Sequence, residues 1–362
     1  MNFINTLTSA ELVLASESVP LIVGESGIGK TDLAKELARK KSWSLITIDA
    51  NLLKEGEIGG LPTVIDSTTI YAVHHKLKEL EKAAAQGETV LLFIDEINRC
   101  EHAVQQELMN LILNREINGF TLPPTVKILA AMNPSGKYGA EYDYQVVDMD
   151  VAQENRFVWL YMEPDYQQWL DWATEAGLEA KVIEFIATFP EYLHKINESD
   201  LRATPRSYER ISSIYKNYHE NAASISRSVF LNVIRGNVGR VIAEEFVSFV
   251  ESNYEPLITY EDIFSGASLS DAVRQRIKAE SHTRLYLAAK NILKHLEAQL
   301  AQESNEPVQI VSRLISFLQA CPADLMIGLM KDMKQNYEQT YTAALADDAF
   351  VEAYFATYRA SR

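Results

Sequence analysis

The stretch Gly24–Thr31 reads "GESGIGKT" and follows directly on the apolar run "VPLIV" at 19–23. Its spacing, Gly24, four residues, Gly29, Lys30 and Thr31, is that of a phosphate-binding loop. Glycines at 24, 27 and 29 let the backbone curl until successive N–H groups point inward at phosphate oxygens. Glu25, Ser26 and Ile28 complete the cradle. A helix must start where the loop ends, because its N-terminus carries roughly half a positive charge. "TDLAKELARKK" (31–41) supplies one, with Leu33, Leu37 and Ala38 on one face. A bare glycine turn between strand and helix shares some of these letters; strand before and helix after favour the phosphate reading. Lys30 is then placed to reach the β/γ-phosphates and the Thr31 hydroxyl to hold Mg²⁺.

Working outward, "TVLLFIDE" (89–96) is a continuous apolar run that ends in two acids, Asp95 and Glu96. In a parallel sheet, ligands gather outside the carboxyl ends of the strands. Asp95 there meets the metal held by Thr31, and Glu96 is placed as general base for a water. A solvated acidic pair capping a strand is the plainer reading. "AAMNP" (130–134) puts Asn133 at the end of another strand, where a neutral amide can orient water or touch the γ-phosphate. A turn residue before Pro134 is the alternative.

Short apolar runs at 19–23, 44–50, 89–96, 127–133 and 156–162 alternate with helical patterns at 31–41, 71–86 and 102–116. The last places Val104, Leu108, Leu111 and Ile112 on one stripe. That alternation implies a parallel sheet with helices on both faces. Asn118-Gly119 predicts a two-residue hairpin turn within 117–126. Beyond about Pro164 the strand pattern stops and helical periodicity takes over. One stripe there is Leu285, Ala289, Ile292, Leu296 and Leu300. A linker is expected at 255–268 and a break at 303–307. The expected fold class is α/β, a P-loop NTPase sheet followed by an all-α lid and a C-terminal helical region. The expected domains are 1–163, 164–265 and 266–362.

The chain of 362 residues carries 34 basic and 50 acidic side chains, a net charge of −16. Phosphate neutralisation needs clustered Lys and Arg, so a general nucleic-acid-binding surface is disfavoured. Cys100 and Cys321 have no metal-ligand spacing. The first twenty residues lack a basic segment, and no apolar run approaches ~18–20 residues. The expectation is a cytoplasmic protein without a membrane span.

Together, Gly24–Thr31, "FIDEINR" (93–99), "AMNP" (131–134), "ENRF" (154–157) and "ATPRS" (203–207) occur in the order seen in AAA+ ATPases. "DEINR" and "EGEIGGLP" (55–62) resemble the MoxR and dynein/midasin-related branch. The resemblance covers about residues 1–265. It implies ATP with Mg²⁺, catalytic Lys30, Glu96 and Asn133, an arginine finger at Arg156 acting on a neighbouring subunit, and a sensor arginine at Arg206. Arg99 and Arg115 compete for subunit-interface work. It implies a homo-oligomeric, hexameric ring whose segments 56–70 and 116–126 face a central channel. It also implies a chaperone-like hydrolase with a protein client and a partner bearing a von Willebrand factor A domain. Two departures lean away from strict MoxR membership: the 22-residue connection between Asn133 and Arg156, and Asn155 where Asp is customary. Rivals are a nucleic-acid-dependent motor, a small-molecule phosphotransferase, and an ATP-gated scaffold with slow hydrolysis.

Overall fold

The computed structural model describes residues 1–135, 146–195, 201–221, 224–251, 257–266, 268–300, 307–345, 347 and 350–352, with backbone only at 307–310. Residues 136–145 of the connection from Asn133 to Arg156 and most of the expected break at 303–307 lie outside the described residues. Two compact units form: Met1–Trp169 with Ala203–Arg210, and Leu170–Arg202 with Ile211–Arg362.

The first unit opens with α1 (Phe3–Ala15), β1 (Val19–Val23), α2 (Lys30–Lys41) and β2 (Ser44–Asp49). β3 (Pro62–Ile65), β4 (Thr68–Tyr71), α3 (His75–Ala85) and β5 (Val90–Asp95) follow. Next come α4 (His102–Asn114), β6 (Glu116–Ile117), β7 (Phe120–Thr121), β8 (Val126–Met132), α5 (Val151–Glu154) and β9 (Phe157–Tyr161). Five strands make one parallel sheet in the order β2-β5-β8-β1-β9.

Side chains alternate across a strand, so each strand feeds two cores. Ile22, Leu91, Phe93, Leu129 and Ala131 pack with Leu7, Leu14, Leu33 and Leu37, from α1 and α2. Leu21, Val23, Leu92, Ile94, Ile128 and Ala130 pack with Leu77, Leu80, Val104, Leu108 and Leu111, from α3 and α4. This double burial is why the strands read as unbroken apolar runs. Each fully buried Leu or Phe contributes roughly 2 kcal/mol.

Two hairpins stand apart from the sheet. β6–β7 turns at Asn118 (φ 45°) and Gly119 (φ 84°), the left-handed pair that matches strand twist. β3–β4 turns at Asp66 (φ 50°) and Ser67 (φ 62°), and both its strands are exposed on both faces. This second hairpin corrects the expected helix at 71–86. Tyr71 ends β4, and α3 starts only at His75, where the His74 side chain caps the Lys76 N–H. The β-branched and aromatic run "TTIY" favours a strand over a helix up to Tyr71.

The second unit is all-α. It draws on α6 (Tyr166–Glu175), α7 (Ala180–Thr188), α8 (Pro205–Glu220), α9 (Arg227–Val238) and α10 (Arg240–Glu251). α11 (Tyr260–Phe264), α12 (Asp271–Ala279), α13 (His282–Leu300), α14 (Pro307–Ala320), α15 (Ala323–Asn336) and α16 (Glu338–Leu345) complete it. Phe185 meets Phe246 and Phe249 edge-on, at 5.1 and 5.5 Å. Leu285, Ala289, Ile292 and Leu296 are buried as their stripe predicts. Arg284 is 4% exposed; it bonds Glu184 at 3.1 Å and Glu280 at 2.8 Å, joining α13 to α7. The expected linker at 255–268 instead contains α11. A capping box between Thr259 and Asp262 starts that helix, and Ile258, Ile263 and Phe264 enter the C-terminal core.

Candidate active site

Strand order decides which residues meet. β1, β8 and β5 lie side by side, so Gly24, Asn133 and Asp95 leave adjacent strands at the same end of the sheet. Gly24 then starts the loop, and α2 begins at Lys30 with Gly29 (φ 100°) before it. Two glycines are sterically required. A Cβ on Gly24 would lie 2.6 Å from Ile28 Cδ1 and 2.8 Å from Met162 O. A Cβ on Gly27 (φ 81°) would lie 2.8 Å from Thr204 Oγ1.

Lys30 is 8% exposed. Its Nζ donates to Gly24 O (2.6 Å), Glu25 O (2.9 Å) and Asn133 Oδ1 (2.9 Å). Burial pushes its pKa down to about 8, opposed by the Asp95, Glu96 and Glu25 carboxylates; the Arg206 charge adds to the fall. Thr31 Oγ1 donates to Asp95 Oδ2 at 2.8 Å. Asp95 Oδ1 accepts the Glu96 N–H at 2.9 Å. Asn133 is 1% exposed, and its Nδ2 has no hydrogen-bond partner among the described residues. A buried amide N–H left open is costly unless something else accepts from it.

The structure thus brings together Lys30, Thr31, Asp95, Glu96 and Asn133. Arg206 lies at the loop through its backbone, with its N–H 3.3 Å from Gly27 O. Arg156 is not brought there. It precedes β9, whose Phe157 pairs with Val19 and whose Tyr161 pairs with Val23. The loop follows Val23, so Arg156 lies a strand length away, about 16 Å at ~3.3 Å per residue. It is exposed. Arg115 is engaged within its own chain: its Nη2 donates to Pro123 O (2.8 Å) and Val126 O (2.9 Å). Arg99 pairs with Glu96 at 3.1 Å.

Sequence reasoning gave no role to Asn98. It is 2% exposed, its Nδ2 donates to Asn133 O (2.8 Å), and its Oδ1 accepts the Asn133 N–H (3.3 Å). Its own carbonyl accepts the Val147 N–H at 2.7 Å. The signal available was an amide inside the turn after the acidic pair. Asp49 is a second omission. It ends β2 beside Asp95, and burial raises its pKa, with the Glu96 and Asp95 charges adding to the rise.

The residues present fit a nucleotide with a divalent cation. Glycines leave the backbone open, a buried ammonium bonds the side chain of Asn133, whose amide N–H has no partner among the described residues, and a hydroxyl–carboxylate pair offers hard oxygen ligands.

Residues 20–149 match the AAA domain of the dynein-related subfamily. The match ends before Arg156 and Arg206. No curated protein matches the chain. Among solved structures, a Thermotoga maritima RuvB mutant is similar at 16% identity and TM-score 0.38, covering 94% of this chain and 87% of that one. The Thermotoga maritima RuvB Holliday junction branch migration motor aligns at 16% identity and TM-score 0.37, over 82% of this chain and 87% of its own. No helix among the described residues is long and apolar enough to cross a membrane.

Proposed function

We propose that this chain is an ATP-hydrolysing AAA+ motor that works as a hexameric ring of copies in the cytoplasm and remodels a protein client, in the manner of the MoxR and midasin-like branch. The observation that carries the reading is the convergence of Lys30, Asn133 and the Thr31–Asp95 pair at the mouth of the glycine loop. Lys30 and the loop N–H groups grip the β/γ-phosphates. Thr31 and Asp95 would hold Mg²⁺, which would supply charge neutralisation at the phosphates. Glu96 accepts a proton from the attacking water, and the open Asn133 Nδ2 donates to the water or to the γ-phosphate. Arg156 reaches the site of a neighbouring copy, which its distance from its own loop favours; such a finger is worth ~10³–10⁵ in rate. Arg206, at the start of α8 and within the first unit, senses the nucleotide. The exposed β3–β4 hairpin and the β6–β7 hairpin touch the client, and a von Willebrand factor A protein is a candidate partner.

The test measures phosphate release from ATP, together with molar mass by light scattering with ATP present. Turnover by a ring-sized assembly, lost in Lys30→Ala, is the expected result. A compact monomer, or turnover indifferent to Lys30→Ala, overturns the reading.

A further inference from the structure

Every residue from Leu61 to Ala72 is exposed, whereas Ile58, Gly59 and Gly60 just before them are buried. The β3–β4 hairpin is therefore an exposed ribbon on a buried root. A two-stranded ribbon alone is marginally stable, so its direction is set at that root. Glycines at 56, 59 and 60 make the root easy to bend. Two side chains hold it. Glu107, on α4, accepts the Gly56 N–H through Oε1 at 3.2 Å. Asn118, at the turn of β6–β7, donates from Nδ2 to Gly59 O at 2.9 Å. Both converge on Gly59, where a Cβ would lie 2.7 Å from Asn118 Nδ2 and 3.4 Å from Glu107 Cδ. Ile58 enters the core that also holds Leu108 of α4 and Ile117 and Phe120 of β6–β7. Upstream on α4, the Gln105 Nε2 donates to Ile97 O (3.4 Å) and Val147 O (3.2 Å). One helix thus touches the turn that follows Glu96 and, two residues on, the root of the ribbon.

We propose that Glu107 and Asn118 are positioning residues that lock the root 56–60 onto α4 and the β6–β7 hairpin, so that the β3–β4 ribbon follows α4 instead of swivelling on its glycines. The proposal rests on the reading above, in which the ribbon touches a client. A ribbon free to swivel absorbs the displacement of the helix behind it. A ribbon braced at its root passes that displacement to whatever it touches. The brace also ties the two hairpins together, because the turn of one holds the backbone of the other.

The experiment uses the full chain without nucleotide or client. Spin labels on Thr69→Cys, in the ribbon, and Asn110→Cys, on α4, report their separation; both positions are exposed, and Cys100 and Cys321 are buried. The expected result is one narrow distance distribution in the otherwise unaltered chain. It broadens in Glu107→Ala, in Asn118→Gly and in Gly59→Ala. Asn118→Gly removes the donor while keeping a turn that tolerates the left-handed conformation. Glu107→Gln retains a side-chain oxygen that accepts from Gly56 and restores the narrow distribution. Hydrogen exchange at Gly56 rises about three- to tenfold in Glu107→Ala, the worth of one such bond. A broad distribution in the unaltered chain, or a width indifferent to all three variants, overturns the brace. So does a Glu107→Gln chain as broad as Glu107→Ala. If phosphate release ignores Lys30→Ala while the distances behave as expected, the ATPase reading fails and the brace stands.

Discussion

Raising the pH from about 7.5 to about 9 weakens nucleotide binding by roughly eightfold if Lys30 grips phosphate. The free protein holds this ammonium at a pKa of about 8, because burial outweighs the pull of nearby carboxylates. Phosphate oxygens beside Nζ return the pKa to its ordinary ~10.5 or above, so binding takes up a proton. At about pH 7.5 roughly three free molecules in four already carry that proton; at about pH 9 it is about one in eleven. The ratio of those fractions gives the eightfold loss. Fold stability moves the other way. The folded pKa lies below the ordinary value, so Lys30 raises stability as pH climbs from about 8 to about 10.5. Calorimetry of ATP binding in buffers of different ionisation enthalpy reads both affinity and proton uptake. Lys30→Arg keeps a cation that does not titrate in this range and is expected to be flat with pH. A wild-type affinity independent of pH, or the same slope in Lys30→Arg, refutes the argument.

Glu96→Gln keeps ATP binding and lowers turnover by ~10²–10⁴, measured as phosphate release against nucleotide affinity. Arg156→Ala retains binding and loses turnover, and mixing it with Lys30→Ala subunits restores part of it; no recovery at any ratio rules out action in trans. Asn98→Ala leaves the Asn133 N–H and C=O short of partners, costing about 1–3 kcal/mol each, read as a lowered Tm together with a lowered kcat. Gly60→Ala displaces the base of the β3–β4 hairpin, since its Cβ would lie 2.1 Å from Ala72 O at a φ of 88°. Faster proteolysis within 61–72 is the expected sign.

Local signals were legible where one residue type has one physical use. Gly24, Gly27 and Gly29, the apolar runs of β1, β5 and β8, the Asn118-Gly119 turn and the α4 stripe each follow from sterics or periodicity. What misled was the region after β2. Its Thr, Val and Ile are strand formers, yet both strands of the hairpin are exposed, so no buried face marks them as strands before the expected helix at 71–86. The Thr259-x-x-Asp262 cap is hard to see in the sequence because turn-forming residues flank it within 255–268.

By itself the sequence determined a phosphate loop, its helix, an acidic strand end and a polar strand end, because covalent spacing and backbone sterics set those locally. It also named Lys30, Thr31, Asp95, Glu96 and Asn133 as chemistry-bearing. Only the tertiary structure decided that β8 lies between β1 and β5, which lets Lys30 reach Asn133 while Thr31 reaches Asp95. It alone set Arg156 a strand length from its own loop, committed Arg115 to carbonyls and turned Arg99 onto Glu96. Strand order and side-chain pairing arise from contacts between residues far apart in the chain, and no local pattern encodes them.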